Sequence, residues 1–291
     1  MCAMCPNQTR KAAPNMSDGA SKAMGSLYDL LLDYIDTVRV HDSTYQIAQT
    51  LVRHYTRLPA MTLREMSELC FVSQASFSRF CRFWGFEGFA EFKEAVDSAN
   101  YRMQDDYTRE FLLRLSDEER PAQGVYRDLF PGCGTFGPSD DDLRIMPEIL
   151  DALESAERVV FFSHHFLWHI GRYFQGKMLL MDKYIELYQS YDHQFEAAHE
   201  LGKGDLAIVC SMNGSYMSHY QEITREIFSG GARVLMLMQN RHALHINRAD
   251  WVLSCGETNA NDVGKYAALM TIDCMVTGYL ARLLTRKVSD E

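Results

Sequence analysis

Gln74, Ser76, Phe77 and Arg79 fall within two helical turns of one another in Val72-Ser73-Gln74-Ala75-Ser76-Phe77-Ser78-Arg79-Phe80-Cys81-Arg82-Phe83-Trp84-Gly85. These residue types could read base edges in a major groove: Gln pairs bidentately with adenine, Arg with guanine, and Phe contacts a thymine methyl. Gln74, Ser76 and Phe77 are the expected readers, while Arg79 could equally brace its own domain. Ser73 and, upstream, Thr62 sit where helix caps belong, and a capped helix start can also direct hydroxyls or N–H groups at phosphates. Phe80, Phe83 and Trp84 have the spacing of core residues.

A second group sits far downstream. Ser211-Met212-Asn213-Gly214-Ser215 follows an apolar strand pattern and opens a helix, a turn that presents N–H groups to an anion. With Ser163 and His164, at the end of an earlier strand, it would line a crevice at the carboxyl edge of a sheet. His164, His165 and His169 form an HHxxxH cluster. With no Asp, Glu or Cys nearby and only His193 able to approach, neutral pocket histidines are expected and no metal. Glu257 could act as a general base or contact a ligand; a solvated loop carboxylate is its ordinary reading. Cys2-x-x-Cys5 is half of a zinc spacing without a second half.

The elements that must position these residues follow from periodicity. Apolar residues recur at helical spacing from Leu27 to Val38. Ser43 or Thr44 can cap a helix with Ile47, Ala48, Leu51, Val52 and Tyr55 inward. Thr62-Leu63-Arg64-Glu65 is a capping box opening a short helix. Ser73 caps the next, which ends at Gly85, and a further helix runs from about Gly88 to Tyr101. Two small helices joined by Cys70-Phe71-Val72 make a helix-turn-helix pattern.

Residues 1–23 read as a disordered tail, 24–101 as the helical domain and 102–140 as a linker. Past Asp140-Asp141-Asp142, strands (158–162, 183–188, 205–210, 233–238, 250–254) alternate with helices (about 166–181, 193–201, 217–229 and 262–286). Strands apolar throughout and separated by helices predict a doubly wound, five-stranded parallel sheet covered on both faces.

Composition limits the classes. The net charge is −10, which argues against indiscriminate polyanion binding. Residues 43–100 hold six Lys/Arg and six Asp/Glu, so a neutral reading head on an acidic body is expected to work as a homodimer or homotetramer. No apolar run approaches the roughly 20 residues of a bilayer span, and no signal peptide is read. Scattered cysteines in apolar segments point to reduced thiols and the cytoplasm.

Val72-Ser73, Ser76, Arg79-Phe80-Cys81-Arg82, Gly85-Phe86, Gly88-Phe89 and Phe92-Lys93 resemble the signature of the RpiR/MurR-type bacterial regulators. The α/β segment resembles a sugar-isomerase (SIS) domain, with Ala267–Asp273 similar to its last helix. The resemblance implies a transcription factor whose hold on double-stranded DNA, at a near-palindromic operator, is set by a small phosphorylated sugar or related metabolite, with no cofactor, no membrane and no enzymatic turnover. SIS domains commonly carry a glycine after the first strand, where this chain has Ser163-His164-His165. In the usual Ser-x-Ser-Gly-x-Thr, Asn213 and Tyr216 replace hydroxyls. Two alternatives stay open: a sugar-phosphate isomerase with an accessory DNA domain, and a regulator whose SIS domain only oligomerises.

Overall fold

The computed structural model describes residues 27–98, 137–255 and 261–289. The expected tail, most of the expected linker and Glu257 lie outside them. Five α-helices come first: α1 (Leu27–Thr37), α2 (Ser43–Arg53), α3 (Leu63–Leu69), α4 (Gln74–Phe83) and α5 (Phe89–Ser98), with a 3-10 turn at Tyr55–Ala60. Their shared core includes Leu31, Ile35, Leu51, Leu58, Met66, Phe77, Phe80 and Phe92. Helix α2 is capped by Asp42, whose carboxylate accepts from the N–H groups of Thr44 and Tyr45, in place of Ser43 or Thr44. Ionised Asp42 is the stronger cap because it also meets the positive helix end. The Thr62–Glu65 capping box forms as expected. Lys93 Nζ donates to the carbonyls of Leu58 and Pro59, closing α5 on the 3-10 turn.

The rest is an α/β unit with α6 (Asp140–Ser155), β1 (Val159–Phe162), α7 (Phe166–Leu179), β2 (Glu186–Leu187) and α8 (Tyr191–His199). These are followed by β3 (Leu206–Cys210), α9 (Ser215–His219), α10 (Gln221–Ile227), β4 (Arg233–Met238), β5 (Trp251–Ser254) and α11 (Asn261–Ser289). The sheet is parallel throughout, in the order β2-β1-β3-β4-β5. Side chains alternate between two buried faces. Phe161, Ile208 and Leu237 meet α6, α7 and α11; Val160, Phe162, Val209 and Met236 meet α8, α9 and α10. Gly171 lets α7 approach closely, since an added Cβ would lie 2.6 Å from the Phe161 ring.

Three expected elements change. The strand over 183–188 shrinks to Glu186–Leu187, because it is a sheet edge and Lys183 Nζ turns to the carbonyls of Glu154 and Ala156. The helix expected from 193 starts at Tyr191, capped by Ser190. The helix expected over 217–229 is two, broken at Tyr220 (φ −113°, ψ 60°). In addition, Gly264–Arg286 within α11, with a mean hydropathy of 1.4, is long and apolar enough by length and composition to cross a membrane. That corrects the reading that no such run exists. Here the stretch is largely buried and lies against α7, where Tyr173 donates to Asp273 at 2.7 Å.

The helical domain docks on the α/β unit through α1 and α7. Arg172 faces Asp29, Asp33 and Asp36. Gln175 Nε2 donates to Asp36 Oδ1 at 3.0 Å, and Arg53 and Arg158 share Glu186 at 2.9 and 2.8 Å.

Candidate nucleic-acid interface and ligand pocket

Helix α3, the turn Cys70–Ser73 and helix α4 form the expected helix-turn-helix. Phe71 takes φ +56° to make the turn, an uncommon backbone state for a bulky residue. Ser73 Oγ accepts from Ser76 N at 3.1 Å and lies 2.9 Å from Ser76 Oγ, which in turn accepts from Arg79 at 2.9 Å. Ser73, Gln74, Ala75, Arg79 and Arg82 form the exposed face of α4, and Thr62 is exposed at the start of α3.

Two expectations fail here. Phe77 cannot read bases: it is fully buried, packed edge-on against Phe89 and Phe92, because the inward stripe of α4 runs through 77, 80 and 81. Phe83, expected in the core, is 41% exposed and edges onto Tyr34 and Trp84. Trp84 is half-buried. The sequence reading also missed two exposed residues, Arg82 and Phe71, the latter 96% exposed. Arg82 was legible as one turn beyond Arg79; the exposure of Phe71 was not, because it depends on the turn's positive φ.

At the other end of the chain, a pocket of about 330 Å³ opens beyond the carboxyl ends of β1 and β2. The strand order reverses between β1 and β3, the switch point at which ligands bind in open parallel sheets. Ser163, His164, His165, Trp168 and His169 line it from β1 and α7, Gln189, Tyr191 and Gln194 from the β2–α8 segment, and Tyr220 and Ile223 from α10. Ser163 Oγ, His164 Nδ1 and Trp168 Nε1 are buried without a protein partner, which is the state of polar groups poised for a ligand. Burial, reinforced by His165 and His219, lowers the His164 pKa, so the ring is neutral near pH 7. His165 stands at φ +53° as the α7 N-cap and gives no side-chain cap bond, while its carbonyl accepts from Trp168 N at 3.2 Å and its side chain lines the pocket. That φ is the backbone geometry for which a glycine would serve.

The structure brings together Ser163 and His164 of the expected ligand residues. Ser211, Asn213, Gly214 and Ser215 are not among the pocket's lining. Ser211 Oγ is spent accepting from Tyr216 N at 3.1 Å. Gly214 (φ +79°) packs where a Cβ would lie 2.7 Å from that of Ala243, and the Asn213 carbonyl accepts from Asn240. The turn is thus pinned under residues 240–243. Tyr216, fully buried, stacks on His164 and donates to Gln194 Oε1 at 2.5 Å; it backs the pocket in place of the hydroxyl expected there. Gln194, which also donates to the Ser163 and Tyr188 carbonyls, is a lining residue that the sequence reading missed. Its signal would have been a buried amide one turn into a capped helix.

Residues 34–100 match the family described as "Helix-turn-helix domain, rpiR family". No curated protein matches the chain. Among solved structures, the chain is similar to the NanR protein of Vibrio vulnificus complexed with ManNAc-6P (16% identity, 91% of this chain and 97% of that one, TM-score 0.44). It is also similar to the sugar isomerase domain of an RpiR transcription factor from Sphaerobacter thermophilus (13%, 53% and 88%, TM-score 0.42). A third is a putative sugar-phosphate isomerase from Listeria monocytogenes (11%, 63% and 93%, TM-score 0.43). These likenesses are loose.

Proposed function

We propose that this chain, whose residues 34–100 are an rpiR-family helix-turn-helix domain, is a DNA-binding transcriptional regulator controlled by a small phosphorylated sugar. The observation that carries the reading is the exposed face of α4, where Gln74, Arg79 and Arg82 stand clear while Phe77 and Phe80 are buried. Such a face places an amide and two guanidiniums at base-edge and phosphate distance when the helix enters a major groove.

The pocket supports the second half. Tyr191 and Tyr220 offer aromatic faces to the C–H side of a sugar ring, and Ser163 Oγ, His164 Nδ1 and Trp168 Nε1 offer polar groups to its hydroxyls. Its lining, among the described residues, includes neither Lys nor Arg, so a phosphate would rest on the α7 N-terminus, whose N–H groups and dipole favour an anion.

A neutral head that sums weak contacts fits a homodimer or homotetramer on a near-palindromic operator. The buried free thiols Cys81, Cys210, Cys255 and Cys274 suit a reducing cytoplasm.

The test is selection of genomic fragments by the purified chain, followed by titration with sugar phosphates. Binding of inverted repeats that shifts with a phosphosugar is expected. Binding indifferent to sequence, or turnover of the sugar phosphate, would sink the reading.

A further inference from the structure

His41, His193 and Glu196 come together at the junction of the two domains, with donor atoms all within 4.8 Å of one another. His41 lies between α1 and α2 of the helical domain. His193 and Glu196 are three apart on α8 and so share one face. The His41 ring stacks almost flat on Tyr45 (centroids 3.7 Å, 6°) and on His193 (4.1 Å, 28°).

We propose that His41, His193 and Glu196 form a divalent transition-metal site, of the zinc class, that ties the reading head to α8. Two imidazole nitrogens and a carboxylate are the donor set such ions take, with a fourth position left to water. Metal–nitrogen distances of about 2.0–2.1 Å put tetrahedral donors roughly 3.4 Å apart, so the three must draw in by little more than an ångström. His41 and Glu196 are exposed and can rotate to do so, while His193 is buried and supplies the fixed point.

The placement gives the site a consequence. Helix α8 also contributes Tyr191 and Gln194 to the pocket. An ion here would join the helix that feels the sugar to the α1–α2 connection that carries the head. The histidines that first suggested a metal, His164, His165 and His169, line the pocket instead.

The test uses the full chain with Cys2→Ser and Cys5→Ser, so that the CxxC thiols do not compete, stripped by chelator and titrated with Zn²⁺ by calorimetry; Mg²⁺ serves as control. One Zn²⁺ per chain and a raised Tm are expected, with no Mg²⁺ response. His41→Ala and Glu196→Gln should each weaken zinc binding by more than about tenfold, the scale at which even outer-shell partners matter. Glu196→Gln, at an exposed position, should leave the metal-free Tm unchanged, and His169→Ala should leave zinc binding intact. Absence of zinc uptake, uptake unaltered in both His41→Ala and Glu196→Gln, or uptake lost in His169→Ala would overturn the proposal.

Discussion

Gln74 and Phe77 sit three residues apart on α4 and do opposite things, and single substitutions should separate them. Gln74 is exposed, so Gln74→Ala should leave urea stability unchanged while costing about 1–3 kcal/mol of discrimination at one base pair; DNA-binding titrations against operator variants measure it. Phe77 is fully buried among Phe80, Phe89 and Phe92, so Phe77→Ala should cost about 3–5 kcal/mol of stability, read by equilibrium unfolding. A Phe77→Ala protein that folds normally but loses specificity at one thymine would return it to the reading face. Arg79→Ala should weaken binding across sequences or at a single guanine, and the salt slope tells which: a lost phosphate contact lowers it by about one. Residue type alone named both Gln74 and Phe77 as readers. The inward stripe that takes Phe77 away is set by what α5 places against it.

At the scale of elements, α1 and α7 form the polar seam between the head and the α/β unit. Asp36 is buried there, and burial outweighs the Gln175 hydrogen bond and Arg172, pushing its carboxyl up to about 8. Asp36 Oδ2 and Gln175 Oε1 both lack a hydrogen-bond partner, and a proton on the acid would supply a donor to that pair. The folded pKa lies above the unfolded value, so the folded state holds the proton more tightly. The contribution is full below the unfolded pKa of about 3.8 and is lost as pH rises through about 8. Thermal unfolding between pH 6 and 9 should therefore show stability falling with pH in the native chain, and a flatter profile in Asp36→Asn, which keeps the shape without the proton. Equal slopes in the two proteins would show that this carboxyl does not titrate in the seam. None of this was legible beforehand: Asp36 reads as an outward position of an amphipathic helix until a second domain covers it.

For the whole molecule, a regulator in this form requires coupling between pocket and head. Linkage makes that coupling reciprocal: a phosphosugar that weakens operator binding by some factor must itself be bound more weakly, by the same factor, when operator DNA is present. Calorimetry of the sugar with and without DNA measures both sides. Substituting Gln194 by Leu, which removes the amide holding the Ser163 carbonyl and the Tyr216 hydroxyl, should abolish the sugar response and leave DNA affinity near its unliganded value. If the sugar binds but DNA affinity never moves, the α/β unit serves assembly alone.

Order and type of the elements were legible because they follow from local forces. Period-2 and period-3.6 apolar patterns, the Thr62–Glu65 and Ser73 caps and uniformly apolar strands identify a helical reading domain followed by a parallel sheet, and the spacing of Val72–Lys93 resembles one family. Which polar residues share a site was not legible, because that depends on contacts between segments distant in the chain. Ser211–Ser215 has the composition of an anion loop, yet Ala243 presses on Gly214 and the pocket opens instead between β1, α8 and α10. His193, which could have approached the His164, His165 and His169 cluster, stands against His41. Local pattern depends on a few neighbouring residues and survives in one dimension; the partner of a buried amide or an exposed imidazole is chosen when the domains close on each other.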